Sequence, residues 1–296
     1  MIEGTDPRPS LEQFLAAPVG DVAKVMPATI VYTPGGTRRS AMLAGISPQS
    51  DEYARWTRER MIASYDLLFR FGARHIFTTM IRPGQFAEVG RYRERLIDWL
   101  EWGLIGPEAL ADYARLGWRV RLFGAESMPE LQPIAERLLA STPTQSSTTL
   151  WYQVVAEPGA PWQWLLRAAQ HAQARTQAEA IRALYGEEIP LAKLYISFGK
   201  PMFVADLFPP LLADEVQSYW IQRPGYLDDE QVLRRILYDY TYLRPTWRLD
   251  KSSRYDTLEA NRSLWQQPLV LGYGKHVGAF WYPELDQDGF ISGEEV

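Results

Sequence analysis

Apolar residues along this chain alternate between two spacings, one typical of buried strands and one typical of amphipathic helices. Thr29–Thr33 is a short β-branched and aromatic run, and His75–Ile81 is a second one. Between them, residues 51–71 repeat apolar side chains at helical spacing, for example at Tyr65 and Leu68. The pattern therefore predicts a strand, a helix and a second strand in succession.

The same alternation continues as far as residue 242. We predict helices over residues 91–104, 107–116, 129–141, 162–185 and 229–242, and strands over residues 118–123, 148–155, 194–198 and 216–221. Such alternation is typical of an α/β fold with a mostly parallel central sheet flanked by helices. The polar segment 141–149 interrupts it, but strands continue on both sides. We therefore interpret that segment as a surface loop inside one domain spanning residues 1–296.

Composition narrows the classes of protein that this chain can represent. It has 296 residues, of which 46% are hydrophobic, without an apolar run approaching a membrane span or a leader at the N-terminus, so we expect a cytoplasmic protein. Cysteine is absent and there are three histidines, which excludes disulfides, thiolate catalysis and a histidine-rich metal centre. The net charge of -5 argues against general nucleic-acid binding. A small anion is the expected partner.

Aromatic residues are abundant, with 11 Trp, 16 Tyr and 11 Phe making up 13% of the chain. Their faces stabilise cations as well as packing in cores. A pocket lined by them suits a greasy substrate that becomes a carbocation, although we expect ordinary packing for most of them.

Directly after the first predicted strand, the chain reads Pro-Gly-Gly-Thr-Arg-Arg at residues 34–39. Glycines let backbone N–H groups approach an anion closely, and two guanidinium groups beside a helix start add charge and bidentate geometry. A plain β-turn followed by solvated arginines is the alternative, since so short a motif also arises by chance. The predicted diphosphate ligands here are Gly35, Gly36, Thr37, Arg38 and Arg39.

The order strand, glycine turn, paired arginines and helix, continued by LLFRFGARHIFTTMIRPGQF at residues 67–86, resembles the opening of the cis-prenyltransferases. In that family an Asp-Gly-Asn-Arg-Arg-Trp stretch binds a prenyl diphosphate. With SPQSDEY at 47–53 and LRRILYDYTYLR at 233–244, the chain is more similar to the tuberculosinol and tuberculosinyl adenosine synthases, a diterpene-synthase branch with the cis-prenyltransferase (undecaprenyl diphosphate synthase) fold. The resemblance covers residues 14–281, and a kolavelool synthase is its narrowest interpretation.

The resemblance implies a diterpene synthase. Such an enzyme ionises a bicyclic C20 prenyl diphosphate, such as kolavenyl or tuberculosinyl diphosphate, and captures the allyl cation with water to give an alcohol. It also implies Mg²⁺ bound with the diphosphate and a homodimer. Alternatives are transfer of the prenyl group to a nucleoside or another acceptor, and a non-catalytic partner subunit. Chain-elongating relatives carry an arginine-rich motif where residues 195–208 here contain no arginine. A second diphosphate would be poorly neutralised there, which disfavours repeated condensation.

One departure from the family concerns catalysis. The family usually has an aspartate where this chain has Gly35. Three consequences stay open: another carboxylate substitutes for it, the arginines alone neutralise the leaving group, or the chain is inactive. The candidate substitutes are Asp51, Glu52 and Asp239.

Two further sets of residues carry over from the resemblance or from the chemistry. Tyr53 corresponds to the tyrosine after the glycine turn; oriented by Asp51, it would position the attacking water or accept its proton, and a core tyrosine is the alternative. The additional candidates for diphosphate binding are Arg82, Arg234, Arg235 and Arg244. For Arg235 a surface pair with Asp239, four residues away, is the alternative.

We assign no functional role to the acidic C-terminal residues or to His276. Residues 284–295 partly match an EF-hand loop, but the first position is Glu and only Val296 remains for the exiting helix. We interpret residues 284–296 as a frayed acidic tail. We interpret His276 as a hydrogen-bonded structural residue beside a late strand.

Overall fold

Strand β1 (Thr29–Thr33) lies in the interior of the protein, where all five of its residues are buried. Its β-branched and aromatic side chains suit a strand that is covered on both faces. The computed structural model describes residues 8–87, 91–246, 254–266 and 270–284.

Five more strands join β1 in one fully parallel sheet, namely β2 (His75–Ile81), β3 (Arg119–Phe123), β4 (Thr149–Val154), β5 (Leu194–Phe198) and β6 (Gln217–Ile221). The order across the sheet is β3-β4-β2-β1-β5-β6. A separate antiparallel hairpin consists of β7 (Gly274–Val277) and β8 (Phe280–Pro283). The predicted α/β fold with a parallel central sheet is therefore confirmed.

Helices flank the sheet, and the last two helices along the chain are exposed throughout. The helices are α1 (Leu11–Ala16), α2 (Val19–Val22), α3 (Thr37–Leu43), α4 (Asp51–Arg70), α5 (Pro83–Phe86), α6 (Arg91–Ile105), α7 (Pro107–Leu116), α8 (Gln132–Ser141), α9 (Ala160–His171), α10 (Gln177–Tyr185), α11 (Glu230–Tyr238), α12 (Arg254–Ala260) and α13 (Arg262–Trp265). A π-helical turn, Asp239–Leu243, continues α11.

The single helix predicted over residues 162–185 is wrong. Two helices, α9 and α10, occupy this stretch, and Gln173 between them has a φ of 50°, which a continuous helix does not allow. Thr176 begins α10 with a capping box, in which its side chain accepts a hydrogen bond from the Glu179 amide. The run of Ala and Gln favours helix throughout, so the prediction missed this start signal.

The parallel arrangement decides where a ligand can bind. Because all six strands run in one direction, the carboxyl ends of the neighbours β2, β1 and β5 meet at one edge. Thr33 ends β1 opposite Ser197 of β5, and the Thr33 hydroxyl donates to the Ser197 hydroxyl at 2.8 Å. Open parallel sheets bind their ligands at this edge.

Candidate active site

A cavity of about 710 Å³ opens at the carboxyl ends of β1, β2 and β5. Its size is within the range of small-molecule sites. Helices α4 and α6 form its far wall, through residues such as Met61 and Leu100. The glycine turn after β1 lies at one end of this cavity, as the sequence predicts for a site that binds an anion.

The backbone at Gly36 requires glycine. Its φ is 70°, in the left-handed region, where α3 begins without a side-chain cap. A Cβ atom at this position would lie 2.7 Å from Nη2 of Arg39 and 2.9 Å from Cβ of Pro224. The absence of a side chain therefore lets the guanidinium group of Arg39 lie against the turn.

Gly35 is tied to a distant loop. Its amide donates to the carbonyl of Gly225 at 3.3 Å, and the Gly225 amide donates to the Gly35 carbonyl at 2.7 Å. The Gly35 N–H group is therefore already bonded, which differs from the expectation that it faces a diphosphate. The bridge instead fixes the loop before α11 against the turn.

Cationic side chains that follow β1, β2 and β5 line the cavity at the carboxyl ends of these strands, and one more comes from α4. The cavity is lined by Arg38, Arg39, Arg58, Arg82 and Lys200. Arg58 is neutralised, because its Nη1 lies 2.5 Å from Asp112 and its Nη2 lies 3.2 Å from Glu108.

Three of the other cations have no acidic partner in the part of the chain that the structure describes, namely Arg39, Arg82 and Lys200. The Arg39 guanidinium carbon lies 4.9 Å from the centre of the Phe280 ring. The Nε of Arg82 is buried without a hydrogen-bond partner among the described residues. Leaving a buried donor unpaired costs about 1–3 kcal/mol, so this group is poised for an acceptor supplied by a ligand.

Much of the remaining wall is apolar and rich in sulfur and aromatic rings. Its apolar members include Met42, Met61, Met80, Leu96, Leu100, Leu207, Trp99, Phe198 and Phe280. Tyr53 and Trp99 meet edge to face, with ring centroids 5.8 Å apart. The cavity therefore combines a cationic end with a greasy, aromatic interior.

Seven predicted site residues line this cavity, namely Gly35, Gly36, Thr37, Arg38, Arg39, Tyr53 and Arg82. Tyr53 is buried and its hydroxyl lies 3.0 Å from the Thr37 hydroxyl. The expected orienting group, Asp51, is instead 97% exposed and accepts from Nη2 of Arg95 at 2.6 Å. Thr37, not Asp51, therefore orients the tyrosine.

The structure places Asp239 and Arg244 away from the cavity lining. The carboxylate of Asp239 accepts from the Tyr219 hydroxyl at 2.5 Å and from Nε of Arg244 at 2.6 Å. The guanidinium carbon of Arg244 lies 4.1 Å from the centre of the Tyr219 ring. The alternative considered for Arg235, a pair with Asp239, is not formed among the described residues, because Arg244 is paired with Asp239 instead.

Arg234 and Arg235 also lie outside the cavity. Arg234 is buried, donates to the carbonyls of Phe14 and Ala17 at 3.4 and 2.8 Å, and pairs with Glu230 at 2.8 Å. Arg235 is exposed and borders a shallow depression formed with α1. Neither side chain is directed to the cavity.

Sequence reasoning missed several lining residues. Lys200 follows β5 within the stretch 195–208, for which the prediction considered only arginine. A lysine or arginine directly after a strand is the sequence signal that indicates it. Arg58, Trp99 and Tyr226 lie on elements whose orientation depends on packing. Phe280 comes from the hairpin, far away in sequence, and carries no local signal.

The residues around the cavity do not fit a Mg²⁺ site built on protein carboxylates. Mg²⁺ in such sites commonly takes one or two carboxylates together with substrate phosphates and water. Among the described residues no Asp or Glu lines the cavity, whose oxygen donors include the hydroxyls of Thr33, Thr37 and Ser197. Within the same ranges no group of three or more His, Asp or Glu could hold a metal ion.

Known sequences resemble the chain over almost its full length. It is 42% identical over 279 residues to (+)-kolavelool synthase of Herpetosiphon aurantiacus, which covers 94% of this chain and 96% of that relative. The chain belongs to the kolavelool synthase family. It is also 26% identical over 300 residues to tuberculosinyl adenosine transferase of Mycobacterium tuberculosis, over 93% of this chain and 98% of the relative. No protein-family model matches the chain.

Solved structures show that this family member has the cis-prenyltransferase fold. Lavandulyl diphosphate synthase from Lavandula x intermedia, in complex with dimethylallyl diphosphate, superposes with a TM-score of 0.58 at 14% identity, covering 76% of this chain and 98% of that one. A probable undecaprenyl diphosphate synthase from Campylobacter jejuni gives 0.55 at 10% identity, covering 75% and 97%. Within the described ranges, no helix is both long and apolar enough to span a bilayer.

Proposed function

We propose that this chain is a diterpene synthase that ionises a bicyclic C20 prenyl diphosphate, such as kolavenyl or tuberculosinyl diphosphate, and captures the cation with water. The observation that carries the proposal is a single cavity with a cationic end and an apolar, aromatic interior. The 42% identity to (+)-kolavelool synthase supports the same reaction class, a terpene synthase acting on a prenyl diphosphate.

The diphosphate binds at the glycine turn. Heterolysis of the C–O bond moves negative charge onto the diphosphate, and fixed cations aimed at that charge lower the barrier. Arg38 and Arg39 are the principal ligands. Arg82 and Lys200, which follow β2 and β5 on either side of β1, add further positive charge. Because Gly35 replaces the family's aspartate, no carboxylate at this position competes for the guanidinium groups.

The hydrocarbon occupies the interior between α4 and α6. Positive charge develops there on the allyl group as the diphosphate leaves. Ring faces such as those of Trp99 and Phe198 stabilise a cation without a nucleophilic atom that would trap it. The apolar wall also limits water to the polar end of the cavity, so that the cation meets few competing nucleophiles.

Water captures the cation at its tertiary end and yields a tertiary alcohol. Tyr53, held by Thr37, lies on the cavity wall and can accept a hydrogen bond from this water. Asp51 and Asp239 have no chemical role in this reaction, since neither lines the cavity. Of the consequences that follow from Gly35, this arrangement favours neutralisation of the leaving group by the arginines.

Four properties expected from the sequence stay predictions. They are Mg²⁺ carried by the diphosphate itself, a homodimer, a cytoplasmic location and one domain over residues 1–296. The acidic tail lies outside the described residues from 285 onward. Transfer of the prenyl group to a nucleoside is the alternative reaction, which the 26% identity to tuberculosinyl adenosine transferase supports more weakly.

Product analysis tests the proposal. The purified chain is incubated with geranylgeranyl, kolavenyl and tuberculosinyl diphosphates in H₂¹⁸O, with and without Mg²⁺ and with and without adenosine. We expect a bicyclic substrate to give a tertiary alcohol that carries ¹⁸O, because the oxygen comes from solvent. A primary alcohol without ¹⁸O would indicate cleavage at phosphorus and contradict the proposal. Formation of an adenosine adduct would show that the prenyl group is transferred to a nucleoside and not captured by water.

A further inference from the structure

Two buried hydroxyl groups on the cavity wall have no hydrogen-bond partner in the part of the chain that the structure describes. They belong to Tyr226, which is 3% exposed, and to Thr57 on α4. An unpaired buried hydroxyl is unfavourable, and buried polar groups in native proteins usually have a protein or water partner. Both groups are therefore available to an acceptor or donor that enters the cavity.

The position of Tyr226 is fixed by its neighbours in the chain. Gly225 is bonded through both backbone groups to Gly35 of the glycine turn. On the other side, the Leu227 amide donates to the buried hydroxyl of Tyr32 at 2.8 Å. These bonds hold the phenol beside the end of the cavity where the diphosphate leaves.

The environment also determines what the phenol can do. Burial raises the pKa of Tyr226 well above its usual value, and nearby Tyr53 acts in the same direction, whereas the hydroxyls of Thr57 and Thr37 lower it. These influences indicate that the four hydroxyl groups are neighbours, although none of the others lies within hydrogen-bond geometry of Tyr226. At neutral pH the phenol stays protonated, so it orients a molecule and does not serve as a base.

We propose that Tyr226 and Thr57 bind the water molecule that captures the allyl cation, an inference that rests on the proposed diterpene synthase reaction. A bound water needs two to four polar partners, and these two hydroxyls with the Tyr53–Thr37 pair supply that number. The tertiary carbon of the allyl cation is two bonds from the carbon that loses the diphosphate. The water must therefore be held at the polar end of the cavity, where Tyr226 is fixed.

The step balances without another reactant. The C–O bond of the substrate breaks and its electron pair leaves with the diphosphate. A lone pair of the bound water forms the new C–O bond, and the resulting oxonium gives its proton to the released diphosphate. If the water is misplaced, the same cation instead loses a proton from a neighbouring carbon to the diphosphate and becomes a hydrocarbon. Tyr226 thus determines which product forms and does not drive ionisation.

Tyr226→Phe and Thr57→Val remove one hydroxyl each with little change in shape. For each folded variant, diphosphate release and the ratio of hydrocarbon to alcohol are measured with the bicyclic substrate. We expect the ratio to rise at least about fivefold, as the loss of one hydrogen bond to the water predicts, while diphosphate release changes less than about twofold. Tyr113→Phe is the matched control, because Tyr113 is buried with an unpaired hydroxyl but does not line the cavity.

Three outcomes would overturn the inference. An unchanged product ratio in both variants would show that the hydroxyls do not hold the water. A parallel loss of diphosphate release with an unchanged ratio would assign them to diphosphate binding. An equal rise in the Tyr113→Phe control would show a general effect of altered packing. If the wild-type chain consumes no prenyl diphosphate, the proposed function fails first, and this result is distinct from the other three.

Discussion

Two segments of this chain are rich in arginine, and the structure uses them in opposite ways. At the glycine turn, Arg39 has no acidic partner among the described residues and lines a cavity. Around α11, Arg234 is buried on backbone carbonyls and on Glu230, and Arg244 is paired with Asp239. An arginine motif therefore indicates ligand binding only where the fold leaves its charge without a protein partner.

The largest effect should follow from removing the cations at the turn. Arg38→Ala or Arg39→Ala deletes a charge-assisted contact to the diphosphate of about 1.5–3 kcal/mol, so we expect kcat/KM to fall at least tenfold without loss of thermal stability. Steady-state kinetics and thermal unfolding check both parts. Arg235→Ala, also an arginine of a paired motif but exposed away from the cavity, should leave kcat/KM unchanged. An equal loss of kcat/KM in Arg235→Ala would contradict the claim that only the arginines of the glycine turn bind the diphosphate.

Arg234 should show the reverse behaviour. Arg234→Met leaves the carbonyls of Phe14 and Ala17 without their donor inside the protein, so we expect the free energy of unfolding to fall by about 2 kcal/mol. The activity per folded molecule should stay at the wild-type level. Urea denaturation combined with active-site titration separates the two quantities. A stable variant with impaired turnover would place Arg234 in catalysis after all.

A substitution at Gly36 tests whether the glycine turn holds Arg39 in position. Gly36→Ala introduces a side chain at a φ of 70° and within 2.7 Å of the Arg39 guanidinium, so we expect about 1–2 kcal/mol of destabilisation and a displaced Arg39. Gly45→Ala is the matched control, since its φ is 79° but a Cβ there would meet nothing within 4 Å. Both variants should lose stability, and only Gly36→Ala should also lose turnover per folded molecule.

Much of the fold was predictable because its signals are local. Thr29–Thr33, His75–Ile81 and Leu194–Phe198 are short buried runs with clear ends, and the predicted boundaries match the strands. Their shared direction then places the glycine turn at the ligand-binding edge. The break between α9 and α10 was missed, because a run with high helix propensity concealed a capping box.

The site was only partly predictable, because much of it depends on contacts that are distant in the sequence. Whether an arginine is paired depends on residues such as Glu230 or Asp239, whose orientation follows from packing. Tyr226 reaches the cavity through the bridge between Gly35 and Gly225, and Phe280 reaches it from the hairpin. Neither contact leaves a periodic or motif-like trace in the sequence.

Calorimetric binding of inorganic diphosphate to two double variants and to the wild-type chain tests the glycine turn as the diphosphate site. We expect one site per chain in the wild type, retained in Arg235→Ala/Arg244→Ala and weakened at least about a hundredfold in Arg38→Ala/Arg39→Ala, as two charge-assisted contacts predict. The affinity should also fall with increasing salt. Unchanged affinity in a correctly folded Arg38→Ala/Arg39→Ala variant would contradict the assignment of the glycine turn as the diphosphate site.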